Sequence, residues 1–147
     1  MVAESVRRVE EHTPDHINEQ IRRTTESNVA WYAHHKDQID QRLRELDEEW
    51  DIERAIEANA ATISGAGLLL SIVSGRKWMI FPMLVSGFLL QHAIQGWCPP
   101  VSVLRRLGYR TPHEINQERI ALKALRGDFE GIGQGENAID EAIEAAH

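Results

Sequence analysis

The sequence predicts an all-α protein: a two-helix transmembrane hairpin with amphipathic cytoplasmic helices before and after it. Two observations carry this reading. The first is charge distribution along the 147 residues. Residues 1–57 hold 8 Lys/Arg and 15 Asp/Glu, residues 58–104 hold only Arg76 and Lys77 with no acid, and residues 105–147 hold 6 bases and 8 acids. The second is that two uncharged runs, 58–75 and 78–97, flank that basic pair. At 1.5 Å per residue, each reaches across roughly 27–30 Å, the thickness of a bilayer core. The chain therefore divides into a charged helical arm (1–57), a hairpin (58–104), and a C-terminal helix, linker and short terminal helix (105–147).

The averages describe something else. A net charge of −7 and a mean hydropathy of −0.39 suit an acidic soluble domain. They do exclude some function classes. Phosphate contacts need clustered cations, so a nucleic-acid partner is not expected. One cysteine excludes an internal disulfide framework and any multi-Cys zinc site. Residues Met1 to Thr13 are charged and lack an apolar core, so no secretory signal peptide is expected.

Taken in order, the first arm begins with a helix start at Thr13-Pro14-Asp15-His16-Ile17-Asn18. Thr is placed to cap, and Pro sits where a missing N–H costs nothing. The chain then reads as helical to about Glu57, with a break near Ser27-Asn28. Tyr32, Ile39, Leu43, Leu46 and Trp50 form a heptad-like seam on an otherwise charged segment. Such a seam needs an apolar surface: a partner helix, a second copy, or a membrane.

The first span runs from Ala58 to Gly75 and the second from Trp78 to Trp97. The two tryptophans are nineteen steps apart, roughly 28 Å on a helix, the spacing of aromatic anchors at two interfaces. Pro82 falls in the first turn of its helix, where it is tolerated. Ala60, Ser64, Gly67, Ser71 and Gly75 form a small-residue stripe that permits close helix packing, with Ser86 and Ala93 facing it from the second span. Asn59 and Thr62 share a depth with Gln91, His92 and Gln95, a polar group inside the span. The competing architecture is a soluble bundle with both helices buried. Two all-round apolar helices need a thick protein shell, which about 100 mostly charged flanking residues barely supply.

Cys98-Pro99-Pro100 ends the second helix, and Val101 to Leu107 is expected along the interface with Arg105 and Arg106 facing headgroups. Thr111-Pro112-His113-Glu114 repeats the helix-start grammar and adds a capping box. The helix it opens should run from Pro112 to Arg126 and stop at Gly127. Residues 127–135 hold four glycines and read as a linker. Ile139 and Ile143 sit one turn apart in a short terminal helix over 136–147. Arg42, Arg44 and Arg54 precede the spans and Arg105, Arg106, Arg110 and Arg119 follow them, against Arg76 and Lys77 in the turn. The positive-inside rule then places both termini in the cytoplasm.

Glu53-Arg54-Ala55-Ile56-Glu57-Ala58-Asn59, the glycine-bearing first span and the exit Gly96-Trp97-Cys98-Pro99 resemble the YgaP-like inner-membrane transmembrane domain family. That family is a two-helix hairpin of unknown function with an Asn/Arg-rich start and a Gly-x-Cys-Pro exit. The resemblance covers about residues 52–110 and implies a bacterial inner-membrane protein. Its members are often fused to a rhodanese domain. The only cysteine here closes a helix instead of opening an active-site loop, so sulfur transfer does not carry over.

Candidate chemistry is sparse. Cys98, the single thiol, lies near Arg105 and Arg106, and a cation lowers a thiol's pKa. A thiol- or sulfur-handling role is therefore the alternative function, set against a buried small residue with no base identifiable beside it. His92 is read as an interhelical clamp before a proton or ligand site. The pairs His34-His35 and His12/His16 lack chelating geometry, so no metal and no cofactor is expected. The chain shows no phosphate loop and no catalytic triad or carboxylate pair by spacing. The expectation is a non-enzymatic membrane anchor, partnered by the bilayer and by a second copy or another membrane protein.

Overall fold

The computed structural model describes residues 7–130. The expected terminal helix over 136–147, and the linker beyond Glu130, lie outside the described residues. Every element among the described residues is helical: α1 (Arg8–Glu11), α2 (Asp15–Ala33), α3 (Ile39–Glu48), α4 (Ile52–Ser74), α5 (Ile80–Gln95), α6 (Pro99–Arg106) and α7 (Pro112–Arg126), with 3-10 turns at Lys36–Gln38 and Arg76–Met79. The helix does not break at Ser27-Asn28, as the sequence suggests. It continues to Ala33 and is interrupted instead at His34-His35 and at Glu49–Asp51. Asp51 supplies the second interruption, because its carboxylate accepts the Arg54 backbone N–H at 2.9 Å and starts a new helix.

The described residues fold as two compact units, residues 7–23 with 50–115, and residues 24–49 with 116–130. In the first unit, α4 and α5 lie antiparallel, since Gly67 approaches Pro82 while Glu53 meets His92. Gly75, at φ +107°, ends α4 and opens the tight turn. The apolar core sits at the far end of the helix pair. It is made of Val9, Ile52, Ile56, Cys98 and Val101, with Leu104 and Tyr109 against it. Each Ile or Val buried there contributes roughly 1.5–3 kcal/mol of transfer free energy.

Towards the turn, α4 and α5 have only each other among the described residues. Of their most apolar eighteen-residue stretches, 11% and 6% is buried. Leu68, Leu69, Ile72 and Val73 on α4, and Met83, Leu84, Leu90 and Ile94 on α5, are exposed. Both helices are long and apolar enough to cross a membrane.

The second unit is closed by charge as well as by apolar burial. Ile39, Leu43, Leu46 and Leu122 are buried in it, together with Glu118. Three of those residues belong to the sequence seam, while Trp50 at its end is exposed and lies under the Arg54 guanidinium at 4.4 Å. The Glu118 carboxylate accepts from Arg42 Nε at 2.9 Å and from Asn28 Nδ2 at 3.4 Å. Arg119 donates to Asp47 at 2.8 Å and Arg126 to Asp40.

Candidate functional site

The two Thr-Pro helix starts look alike in sequence and differ in structure. Thr111 and Glu114 form the expected capping box: the Thr111 N–H donates to Glu114 Oε2 at 2.8 Å, and the Glu114 N–H donates to Thr111 Oγ1 at 3.2 Å. Thr13 does not cap in this way. Its hydroxyl donates to the Val9 carbonyl at 2.7 Å and accepts from Arg105 Nε at 3.2 Å.

Arg105 was expected at the headgroups, but it is 1% exposed. All five of its N–H groups are spent inside the protein. Nε goes to Thr13, one terminal nitrogen to the Tyr109 carbonyl and Glu114 Oε2, and the other to Asn18 Oδ1 and Glu114 Oε1. A guanidinium fork with a bidentate carboxylate and three further acceptors has no donor left for a lipid phosphate. Arg106, its neighbour on α6, is exposed.

The polar residues assigned to the span do not gather as one group. Asn59 donates to its own helix at the Ala55 carbonyl, 2.7 Å, and Thr62 to the Ala58 carbonyl, 2.8 Å. Gln95 is exposed and Gln91 half-buried. His92 alone turns inward, to a partner that sequence spacing did not indicate. Its Nε2 lies 2.7 Å from Glu53 Oε2, across 39 residues. The other carboxylate oxygen of Glu53 accepts from Arg8 at 3.2 Å, and Arg8 also reaches the Ala93 carbonyl at 3.4 Å. A signal for Glu53 existed: Asp51 caps α4, which puts Glu53 in its first turn and at the level of the last turn of α5. Its partner, however, depends on helix pairing.

Glu53 precedes the uncharged run. The His92 hydrogen bond, and behind it Arg8, hold its carboxyl below the usual 4.5, against the opposing effect of partial burial. His92 is 4% exposed, and its Nδ1 is buried with no hydrogen-bond partner of ordinary geometry. The Cys98 thiol is 2% exposed and packs with Val9, Ile52, Ile56 and Val101. Gly96, at φ +71°, closes α5 with a 2.7 Å bond from its N–H to the His92 carbonyl, and Cys98 then opens α6 ahead of Pro99-Pro100.

Of the small-residue stripe, Ala60 and Gly67 are buried and Ser64 and Ser71 half-buried, on the α4 face that meets α5. Gly75 is the helix stop, and Ser86 and Ala93 are exposed. What meets Gly67 is Pro82 and Phe81. Trp78 stacks on Phe81 at 5.7 Å between ring centroids, and Trp97 is half-buried at the other end. No group of three or more metal-ligating side chains forms among the described residues. Compared with known proteins, the chain matches no family model, no curated protein and no solved structure.

Proposed function

We propose that the protein is a small integral membrane protein whose α4–α5 pair spans a bacterial inner membrane as a hairpin. It acts as an anchor and associates, through its helices, with a second copy or another membrane protein. The observation that carries the reading is the exposure of both apolar helices: 11% and 6% burial is the opposite of a soluble core helix. Soluble monomers rarely expose more than a few hundred Å² of contiguous apolar surface, so a lipid solvent for these faces is the economical account. Resemblance to the YgaP-like domain supports the inner-membrane assignment. The seven arginines nearest the span ends, Arg42, Arg44, Arg54, Arg105, Arg106, Arg110 and Arg119, against Arg76 and Lys77 in the turn, support cytoplasmic termini.

Washing membranes with alkaline carbonate tests the anchor. The protein should stay in the pellet, and release to the supernatant would sink the proposal. Orientation is read with Lys77→Cys in a Cys98→Ser background. An impermeant maleimide should label it only from the periplasmic face. Crosslinking in intact membranes should yield a discrete adduct, and a purely monomeric band would remove the association claim.

A further inference from the structure

Helix α6 is apolar on both sides. Val101 and Leu104 pack inward with Ile52 and Ile56, and Arg105 turns in with them to Glu114. Pro99, Val103 and Leu107, spaced four apart, form one stripe on the other side, with Pro100 beside it. All four are exposed, Val103 by 59% and Leu107 by 70%. A helix lying against water carries polar residues there. α3 does so, turning Asp40, Gln41, Arg44, Glu45, Asp47 and Glu48 outward. On α6 the one outward charge is Arg106, and residues 99–113 hold no acid.

Two placements bring this stripe to the membrane surface, given the spanning hairpin on which the inference rests. Along the chain, Pro99 follows Trp97 by two residues, a reach of at most about 7 Å. A leaflet's headgroup layer is about 5–7 Å thick, so α6 begins inside it where Trp97 marks the interface. Across the fold, Val101 packs with Ile52 and Ile56. Those two stand six and two positions before Ala58, roughly 3–9 Å outside the start of the uncharged run. Both routes give α6 the same depth.

We propose that α6 docks on the bilayer leaflet from which α5 emerges, with Pro99, Val103 and Leu107 in the acyl boundary and the Arg106 guanidinium on an anionic lipid phosphate. Sequence spacing set both arginines at the headgroups. Folding commits Arg105 to the protein interior and presents an apolar stripe beside Arg106 instead. The helix then lies in the interface as an amphipathic segment does. Because Val101 and Arg105 tie it to α4, α2 and α7, it sets how deep the hairpin sits.

The test uses the full-length chain, as Cys98→Ser, in vesicles of phosphatidylcholine and phosphatidylglycerol. A nitroxide is attached to one introduced cysteine at a time: Val103→Cys, Leu107→Cys, or Leu69→Cys on the exposed face of α4. Molecular oxygen, which concentrates in lipid, and a water-soluble nickel chelate report what each site meets. Oxygen collisions should exceed nickel collisions at all three. A nickel excess at either α6 site, with oxygen in excess at Leu69→Cys, overturns the docking and leaves the hairpin standing. A nickel excess at Leu69→Cys sinks the hairpin and the docking together. Exclusion of both probes at the α6 sites, with dipolar broadening between chains, shows a second copy over the stripe and overturns the proposal too. Adding Arg106→Gln to the Leu107→Cys chain should lower the docked population relative to the undocked one roughly fivefold in these vesicles, the weight of one arginine at an anionic surface. The same change should do nothing in phosphatidylcholine alone. An unchanged population in the anionic vesicles overturns the phosphate contact.

Discussion

Arg105 and Arg106 are adjacent in sequence and opposite in consequence. Arg105 gives every donor to Thr13, Asn18, Tyr109 and Glu114. Lysine offers three donors without the planar fork, so Arg105→Lys leaves acceptors unpaired in a buried site. It should cost on the order of 3 kcal/mol, read from a denaturant midpoint in detergent. Arg106→Lys, on an exposed side chain, should stay within about 0.5 kcal/mol. Glu53 adds a pH dependence of definite sign. Its folded carboxyl titrates below 4.5, so as pH falls the unfolded chain takes up the proton first. The contribution of Glu53 is complete above the unfolded value and is lost as pH falls through the folded one. Stability between pH 6 and pH 3 should therefore fall less steeply in Glu53→Gln than in wild type, in thermal melts stepped across about that range.

At the scale of the element, local grammar located much and pairing corrected some of it. The Thr111–Glu114 capping box and the Gly127 stop, at φ +97°, bound α7 where sequence placed it, because both are satisfied within a few residues. Thr13 carries the same local signal, yet its hydroxyl is taken by Val9 and Arg105, a competition no local pattern contains. The small-residue stripe was legible on α4 because its spacing is helical. The facing residues were not, since which side of α5 turns inward depends on the tight turn at Gly75. At Gly67 the two helices approach closely, a Cβ there falling 2.8 Å from Pro82 Cδ and 3.1 Å from Phe81 Cβ. Gly67→Ala should destabilise the pair by about 1–3 kcal/mol. Gly87 has nothing within 4 Å, so Gly87→Ala should be neutral or stabilising by up to about 1 kcal/mol. Circular-dichroism melts in one detergent compare them, and equal shifts would contradict the packing.

For the whole molecule, the exposed faces of α4 and α5 imply a partition behaviour that net charge does not. Although its charge is −7, the protein should enter the detergent-rich phase on clouding of a non-ionic detergent. Replacing Leu69, Ile72 and Leu90 by Lys should return it to the aqueous phase. Sequence by itself determined the helical class, the two apolar runs with their basic turn, and the ends of α7, because these rest on composition, periodicity and contacts a few residues apart. Tertiary structure alone decided that Arg105 is a buried clasp and not a surface anchor. It alone set Glu53 against His92. The contacts to His92, Asn18 and Thr13 join positions from 39 to 92 residues apart, out of reach of any local pattern. Sequence set His92 at the depth of Asn59 and Thr62; folding gave it Glu53 instead.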